Sequence, residues 1–314
     1  MPDLTLILLA AGLGSRYGGL KQLESVGPHG EFILHYSIYD ALQAGFDQIV
    51  LVLRKSMYEA FQEGLGKTIH SMCKPRYVFQ ELDELPPGLL LPPERIKPWG
   101  TAHAVWCCRH HVDGSFAVVN ADDFYGPSSY HEMHRLLGTL PLNGYTYGLA
   151  GYPVINTLSE HGAVARAICE FDSSGFLTGI QERTRVLIRQ GQCGFLDDAD
   201  TWNPIPDSAC VSMNFWAFTP SIFDELQNCF QEYAASPTFR PGASEFYLPD
   251  MVGRLLTARK AVVKLQPIRE RWFGITYPQD RDIVQTELKL CHQAGIYPHS
   301  LWETQIGSKF PQPG

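Results

Sequence analysis

The amino-acid sequence predicts an α/β protein with a mostly parallel central sheet. Residues 4–9 and 48–53 are short apolar runs without alternation, which is the pattern of strands covered on both faces. Between them, residues 32–44 have apolar side chains at helical spacing and end at Gly45, a typical helix stop. A strand, a helix and a second strand in this order predict a parallel βαβ unit.

The same alternation continues to about residue 140. Helices are predicted at 56–64, 101–110 and 128–137, and strands at 76–79 and 115–119. The last of these helices has a serine at its start, where a hydroxyl can cap free backbone N–H groups. The first 140 residues therefore predict a parallel, mostly doubly wound sheet.

The second half of the chain is less regular. Strands are predicted at 145–152, 164–171, 176–181, 209–218 and 261–266, and helices at 220–233, 246–256 and 278–294. The polar stretch 184–207 contains an acidic patch at 197–200. We predict a solvated loop there, with a cation site as the alternative. Residues 296–314 are predicted to form a loose tail.

Composition argues against several classes of protein. The 314 residues, 45% of them hydrophobic, suffice for one large domain or two smaller ones. A net charge of −8 without a basic run argues against nucleic acid as the main partner. No stretch approaches the roughly 20 apolar residues of a membrane span, and no signal peptide is recognisable, so we expect a cytoplasmic protein with no membrane partner. The eight cysteines form no C-x-x-C pair, which predicts reduced thiols.

A glycine-rich turn directly follows the first strand. It combines four glycines with two cations: Gly12, Gly14, Gly18, Gly19, Arg16 and Lys21. Glycines let backbone N–H groups approach an anion, and open α/β sheets bind their ligands at the carboxyl ends of the strands. The turn is therefore predicted to hold a triphosphate.

This turn differs from two well-known nucleotide-binding turns. A P-loop requires Ser or Thr directly after its lysine, whereas Gln22 follows Lys21. A dinucleotide-binding turn remains an alternative, although the glycine spacing is one residue too long for it and the second strand ends in Leu-Arg-Lys instead of an acid. A purely structural turn would account for the glycines but not for the two cations.

Residues 83–100 contain five prolines and cannot form the interior of a helix. Loops of this length in compact domains are usually lids or binding loops. We therefore predict a flap beside the site, and a disordered surface insertion is the alternative.

Two adjacent aspartates follow the strand at 115–119. Asp122 and Asp123 are expected at the same sheet edge as Lys21. One or two carboxylates together with substrate phosphates typically hold Mg²⁺. The alternative is an aspartate that caps the next helix, but Ser128 and Ser129 are available for that role.

Together these motifs resemble the sugar nucleotidyltransferases, the pyrophosphorylases that make NDP-sugars. The resemblance begins with the glycine-rich turn, Gly-Thr-Ala-His-Ala-Val at 100–105 and Asn-Ala-Asp-Asp at 120–123. Three later segments add to it: GFLTGIQER at 175–183, EFYLPD at 245–250 and WFGITYP at 272–278.

The resemblance covers roughly residues 4–290 and implies a GT-A-like, Rossmann-related three-layer sandwich. Residues 1–295 would form one nucleotidyltransferase domain. Its nucleotide-binding half would span about 1–140 and its sugar-binding half about 141–295, followed by the tail 296–314.

The resemblance also implies a role for individual residues. The expected nucleotide-binding residues are Ala11, Gly12, Gly14, Gln80, Gly100 and Thr101. The expected catalytic residues are Arg16, Lys21 and Asp122, and Glu182 and Asn214 are expected to contact the sugar. The expected cofactor is Mg²⁺, held by Asp122 and Asp123.

Two positions depart from the family pattern. Gly274 stands where the family has its second metal-binding aspartate, and Arg183 stands where a lysine usually follows the sugar-site glutamate. These changes affect the metal site and the acceptor site.

The implied reaction is Mg²⁺-dependent transfer of a nucleotidyl group from an NTP, with UTP or dTTP favoured, to a sugar 1-phosphate. A GT-A glycosyltransferase that uses an NDP-sugar and a non-catalytic nucleotide-sugar-binding protein are the alternatives. The expected partners are the NTP and the sugar phosphate, and the sequence leaves a homo-oligomer open.

Overall fold

The computed structural model of the protein describes residues 3–12 and 25–302. Thirteen strands are described there: β1 Thr5–Leu9, β2 Gln48–Leu53, β3 Arg76–Phe79, β4 Phe116–Asn120, β5 Asp123–Phe124, β6 Thr146–Pro153, β7 Val164–Phe171, β8 Leu177–Arg189, β9 Gln192–Leu196, β10 Trp202–Pro204, β11 Cys210–Phe218, β12 Val262–Pro267 and β13 Phe273–Gly274. The α-helices of the same residues are α1 Ile33–Ala44, α2 Tyr58–Phe61, α3 Lys67–Met72, α4 Thr101–Trp106, α5 Pro127–Leu137, α6 Ile222–Ala234, α7 Leu248–Thr257 and α8 Asp280–Gln293. The predicted α/β class is confirmed.

Seven strands form the centre of the sheet in the order β3-β2-β1-β4-β11-β6-β12. Six of them run in one direction, and β11 runs against them. The centre is therefore mostly parallel, as predicted. Strands β7 to β10 continue from the first half of β11 as an antiparallel meander, and β5 and β13 form a separate pair.

Side chains of β1 alternate between two hydrophobic cores. Leu6 and Leu8 pack with α1, α3, α5 and α8, whereas Ile7 and Leu9 pack with α4, α6 and α7. Helices thus cover both faces of the central strands, which explains why their sequences are apolar without alternation. Among the described helices, none combines the length and apolarity needed to cross a membrane.

On one side, strand β11 pairs with β6 along its length, and on the other side its partner strand changes in the middle. Residues 211 and 212 pair with β7, whereas residues 216–218 pair with β4. Asn214, in the irregular stretch between them, has a φ of 63°, a left-handed conformation that asparagine tolerates better than most residues. The irregular stretch at Asn214 therefore separates the part of β11 that pairs with β7 from the part that pairs with β4.

The acidic patch at 197–200 lies in a largely exposed turn, as predicted, and the rest of the stretch 184–207 forms most of a three-stranded arm, the end of β8 with β9 and β10. Gln190 and Gly191 have φ of 52° and 78°, as in the two-residue turns that join twisted antiparallel strands. Asp197 accepts hydrogen bonds from two backbone N–H groups of its own turn. The acidic patch thus orders a turn, and these contacts involve no cation.

Two boundaries also differ from prediction. The helix predicted at 56–64 continues through a π-helical turn to Met72, because Gly66 keeps a right-handed φ of −56° and does not end it. The tail predicted from 296 is packed up to residue 302: Leu301 is buried, and the Tyr297 hydroxyl donates a hydrogen bond to Asp40 at 2.8 Å. Residues 303–314 lie outside the described part of the chain.

The proline-rich stretch 83–100 is ordered, so the alternative of a disordered insertion is wrong. Arg95 is 4% exposed and donates hydrogen bonds to four carbonyl groups, those of Lys97, Pro98, Pro241 and Ser244. Its guanidinium also lies 4.0 Å from the ring centroid of Trp99. These contacts attach the stretch to the loop between α6 and α7.

Candidate active site

The ends of four adjacent strands bring the predicted residues together. Leu9 of β1 pairs with Val52 of β2 and with Asn120 of β4, and β3 lies beyond β2. Because parallel strands end at a common edge, the residues that follow them meet there. The residues at this edge are Ala11, Gly12, Gln80, Asp122 and Asp123.

Ala11 and Gly12 begin the glycine-rich turn. Ala11 is buried, and a Cβ added to Gly12 would meet no atom within 4 Å. Gly14, Arg16 and Lys21 lie outside the described residues, so their contact with a triphosphate stays a prediction.

Gln80 is held by hydrogen bonds that fix the orientation of its amide. Its Nε2 donates to the carbonyl of Gly100 at 2.9 Å and to Nδ1 of His103 at 3.2 Å. Nε2 of His103 in turn donates to the carbonyl of Glu84 at 2.6 Å, so Nδ1 is the accepting nitrogen. If the amide of Gln80 were reversed, its Oε1 would face the carbonyl oxygen of Gly100, and two acceptors would lie together.

Burial keeps this arrangement stable at neutral pH. His103 is 1% exposed, and burial lowers the pKa of its imidazole to about 4. The ring is therefore neutral, and Nδ1 remains an acceptor for Gln80. Within the described residues, Oε1 of Gln80 has no hydrogen-bond partner, which leaves an acceptor for a ligand.

Gly100 and Thr101 are fixed by the segment that precedes α7. Gly100 has a φ of 104°, and a Cβ there would lie 2.6 Å from the carbonyl oxygen of Phe246. The hydroxyl of Thr101 accepts a hydrogen bond from the backbone N–H of Leu248 at 2.9 Å. Only glycine fits at position 100, so two motifs distant in sequence meet by close backbone packing.

A directed series of hydrogen bonds connects β11 to Asp123. The indole N–H of Trp216 donates to Oδ1 of Asn214 at 2.9 Å, and Nδ2 of Asn214 donates to Oδ1 of Asn120 at 2.8 Å. Nδ2 of Asn120 then donates to Oδ2 of Asp123 at 2.9 Å. Because an indole can only donate, the orientation of both asparagines follows from it. The predicted sugar-site residue Asn214 is thus joined to the predicted metal site.

Gly274, the position that departs from the family pattern, lies against Asp123. The two residues pair between β13 and β5. A Cβ on Gly274 would lie 2.9 Å from Oδ1 of Asp123 and 3.0 Å from the ring of Trp272. The carboxylate of Asp123 and the indole therefore fill the space that a side chain at 274 would need.

The serines at the start of α5 do not serve as caps, contrary to prediction. Glu270 accepts a hydrogen bond from the backbone N–H of Ser128 at 3.1 Å, and the Ser129 hydroxyl donates to the carbonyl of Tyr125 at 2.6 Å. Glu270 thus supplies the cap from elsewhere in the chain. The hydrogen bonds described for Asp123 come from Asn120 and Tyr125, outside the helix.

Glu182, the residue expected to contact the sugar, lies on β8 beside β7. It is in register with Ala167 of β7 and, beyond it, with Ser212 of β11, so about 10 Å separate Glu182 from β11. Glu182 and Asp250 are both exposed to solvent, yet burial raises the pKa of each carboxyl, and Asp250 raises that of Glu182 further.

Arg183, the other position that departs from the family pattern, makes its contacts away from Glu182. Its guanidinium donates to Oε1 of Gln181 at 2.5 Å and lies 4.4 Å from the ring centroid of Phe195. Successive residues of a strand point to opposite faces, so Arg183 and Glu182 diverge.

Sequence reasoning missed two contributors to this site. In the sequence, His103 stands out only as part of a motif, and Trp216 only as part of a strand. Their roles depend on tertiary contacts that leave no local pattern. Across residues 3–12 and 25–302, no group of three or more His, Cys, Asp or Glu side chains forms a ready metal site.

Comparisons with known proteins agree with this architecture. A family model described as nucleotidyl transferase matches residues 6–165, just over half of the chain. No curated protein is significantly similar in sequence. A 2.76 Å crystal structure from Bacillus anthracis, described as a putative glucose-1-phosphate thymidylyltransferase in complex with sucrose, is similar with a TM-score of 0.58. The two chains are 11% identical over 91% of this chain and 96% of that one, a likeness of fold.

The matched region contains the residues that the geometry brings to one edge. It includes the glycine-rich turn, Gln80, Gly100 and the adjacent aspartates that follow β4. The chain belongs to the nucleotidyl transferase family.

Proposed function

We propose that the protein transfers a uridylyl or thymidylyl group from UTP or dTTP to a sugar 1-phosphate and releases pyrophosphate. A phosphate oxygen of the acceptor forms a bond to the α-phosphorus, and the bond from that phosphorus to pyrophosphate breaks. A phosphate monoester is already a nucleophile at neutral pH, so positioning and charge neutralisation matter more than a general base. The family match and the fold of the B. anthracis protein support this reaction.

The orientation of Gln80 is the observation that carries the choice of base. Its amide N–H groups are engaged by Gly100 and His103, and Oε1 can accept a hydrogen bond. Uracil and thymine carry an N3–H donor, whereas N3 of cytosine is an acceptor and would face Oε1 with like polarity. A site that leaves buried polar groups unpaired rejects the wrong ligand strongly.

Asp122 and Asp123 fit a Mg²⁺ ion by their chemistry. Both are partly exposed carboxylates at the sheet edge, and oxygen donors are the ligands that Mg²⁺ prefers. The contact between Gly274 and Asp123 supports the view that Asp123 supplies the carboxylate missing at 274. When bound, the ion would neutralise phosphate charge.

Roles are also proposed for the other predicted residues of the site. The backbone at Ala11 and Gly12 borders the space for the triphosphate, and Arg16 and Lys21 are proposed to neutralise its charge. Glu182 would accept hydrogen bonds from acceptor hydroxyls. One N–H of Asn214 remains for the acceptor, because its other amide groups bind Asn120 and Trp216.

The test is a pyrophosphate-release assay with UTP, dTTP, CTP, ATP and GTP against a panel of sugar 1-phosphates, with and without MgCl₂. We expect turnover with UTP or dTTP that depends on Mg²⁺ and on one or a few acceptors. Gln80→Met is the matched variant, since it keeps the length of the side chain but removes the acceptor Oε1. It should lose preference for UTP or dTTP over CTP.

Two results would contradict the proposal. Turnover with CTP at least equal to that with UTP and dTTP would refute the role of Gln80. Nucleotide binding without turnover across the whole panel would favour a non-catalytic nucleotide-binding protein, the alternative to which Gly274 points.

A further inference from the structure

Two cysteines lie opposite each other where the antiparallel meander of β7 to β10 joins β11. All eight cysteines lie within the described residues, and each is a free thiol. Ile168 of β7 pairs with Val211 of β11 in antiparallel register. One residue further in this register, Cys169 of β7 lies opposite Cys210 of β11. The two cysteines therefore form a cross-strand pair at the end of a ladder.

The two thiols lie on the same face of the sheet and contact each other. Directly opposite residues of antiparallel strands project to one face, and both cysteines pack in the core that contains α4, α6 and α7. A hydrogen bond with the Cys210 thiol, together with burial, raises the pKa of the Cys169 thiol well above its usual value. Gly151 of β6 makes room for this contact, because Sγ of Cys210 lies where the Cβ of a larger residue would be.

The spacing of a cross-strand pair suits a disulfide. Opposite Cα atoms of antiparallel strands lie about 4.5–5.5 Å apart, and disulfides join Cα atoms about 4.4–6.8 Å apart. The Cβ atoms of such a pair lie about 4.5–5.5 Å apart and must approach to about 3.8 Å. The bond can therefore form after a small local shift, and a bond formed in this way is easier to reduce than an unstrained one.

The two thiols differ in access to solvent. Cys169 is 7% exposed, whereas Cys210 is only partly buried. Exchange with an external disulfide begins at an accessible thiolate. Cys210 is thus placed to attack first, and Cys169 is placed to attack the sulfur of Cys210 at close range in a second step, where proximity offsets its raised pKa.

A bond between these cysteines would close a loop that contains three strands. Residues 169–210 include all of β8, β9 and β10, and with them Glu182, the residue expected to contact the sugar. The ladder between β7 and β11 is short. A covalent bond at its end would therefore hold the base of the meander against β11.

We propose that Cys169 and Cys210 are a reversible redox pair that exchanges with small disulfides of the glutathione class. The Cys210 thiolate attacks one sulfur of oxidised glutathione, the S–S bond breaks, and one glutathione leaves with the proton that Cys210 gave up. The Cys169 thiolate then attacks the Cys210 sulfur, and the second glutathione leaves with the proton of Cys169. The protein loses two electrons and two protons, and the glutathione disulfide gains both.

The experiment compares the wild type with Cys169→Ala, Cys210→Ala and the control Cys291→Ala. Cys291 of α8 is the other cysteine of intermediate exposure among the eight, all of which the structure describes. Each protein is incubated in glutathione buffers of decreasing ratio of thiol to disulfide and then reduced with dithiothreitol. Free thiols are blocked, and thiol content, intact mass and a peptide map are measured.

The wild type should yield a peptide in which Cys169 is joined to Cys210, with no glutathione left on Cys210, and dithiothreitol should reverse the change. Cys169→Ala should keep one glutathione on Cys210, because no second thiol displaces it. Cys210→Ala should leave Cys169 unmodified, because the buried thiol is not reached first. Cys291→Ala should form the same cross-link as the wild type.

Hydrogen–deuterium exchange measures the effect of the bond on the meander. In the oxidised wild type, amide hydrogens of β7 and of the first half of β8 should exchange about tenfold more slowly than in the reduced protein, because the cross-link opposes separation of β7 from β11. The strands β2 and β3, which lie outside the closed loop, should exchange at unchanged rates. Cys210→Ala treated in the same way should show no slowing.

Three results would overturn the proposal. The first is a native wild type that forms no bond between Cys169 and Cys210 at any glutathione ratio, or forms it only in urea. The second is a Cys169→Ala variant that gains no glutathione on Cys210. The third is unchanged hydrogen exchange in β7 and β8 after oxidation. Should Cys169→Ala not fold, the peptide map and the exchange rates of the wild type decide.

These readouts are separate from the proposed reaction, because none of them needs turnover. A wild type that forms the bond but releases no pyrophosphate refutes the reaction and supports the redox pair. A wild type that releases pyrophosphate but never forms the bond refutes the redox pair and leaves the reaction standing.

Discussion

The nucleotide side and the acceptor side of the candidate site differ in how their polar groups are satisfied. On the nucleotide side, Gln80 and Asn120 are oriented by partners that can only donate or only accept. On the acceptor side, no described residue donates a hydrogen bond to the carboxylates of Glu182 or Asp250. The polar groups of the first side are thus held by the protein itself, whereas the carboxylates of the second remain able to accept hydrogen bonds.

This difference assigns each side a way to select its ligand. A fixed amide discriminates by the direction of a hydrogen bond, which is costly to reverse in a buried position. Two exposed carboxylates would instead discriminate by the hydroxyl groups and the charge of a ligand. Substitutions on the nucleotide side should therefore affect folding and base choice, and those on the acceptor side should affect acceptor KM.

The largest expected effect comes from Gly100→Ala on the nucleotide side. An added Cβ would lie 2.6 Å from a backbone oxygen, at a φ of 104° that favours glycine. We expect a loss of about 4 kcal/mol in the free energy of unfolding, measured by urea denaturation. Gly88→Ala is the control, because Gly88 has a φ of 87° but no atom within 4 Å of an added Cβ, and it should cost only about 1 kcal/mol. Equal losses would contradict the close packing at Gly100.

Asp122→Asn should lower kcat at least about a hundredfold, as the loss of a charged ligand to the Mg²⁺ that neutralises phosphate does in comparable sites. The fold should be unaffected, because Asp122 is only partly buried. Asp113→Asn is the control, since Asp113 is exposed before the opposite end of β4. Wild-type turnover in Asp122→Asn would show that Asp122 is not a ligand of a catalytic Mg²⁺ on the nucleotide side.

The neutral His103 should make the protein less stable in acid. Its pKa is about 4 in the fold against 6.5 in the unfolded chain, so the unfolded chain binds a proton between these values and the fold does not. Stability from neutral His103 is therefore complete above about pH 6.5 and is lost as the pH falls to about 4. Urea unfolding across this range should show a loss larger by roughly 2–3 kcal/mol in the wild type than in His103→Gln. If the free energy of unfolding falls equally with pH in the wild type and in His103→Gln, the claim that His103 is buried and neutral is wrong.

The sequence predicts this site only in part, because many of its contacts join residues that lie far apart in the chain. Asp122 was predicted at the sheet edge because the ends of parallel strands coincide, and Gln80 was predicted near the nucleotide from the family resemblance; the structure brings both to one edge. The bonds from Trp216 through Asn214 were not predicted, since the bulge that carries them lies in an apolar strand without turn residues.

The pair Asp123 and Gly274 permits a sharper test of the proposed metal site. Gly274→Asp alone should reduce kcat, because its side chain would collide with Asp123 and Trp272. In Gly274→Asp combined with Asp123→Gly, the carboxylate moves to the family position and the collision disappears. The double-mutant cycle should show a coupling of about 1–2 kcal/mol in favour of the double variant. Additive losses would mean that the two positions do not share one role.

The smallest expected effect tests the acceptor side. Glu182→Gln keeps the size of the side chain and removes its charge, so hydrogen bonds from acceptor hydroxyls should weaken while the nucleotide side is untouched. We expect the acceptor KM to rise about tenfold and the KM for UTP or dTTP to stay unchanged, measured by steady-state kinetics. Glu170→Gln, an exposed glutamate of β7 opposite Gly179, should change neither value. A rise in the nucleotide KM instead would mean that the two sides are not separate, because a change at Glu182 would then affect the residues expected to bind the nucleotide.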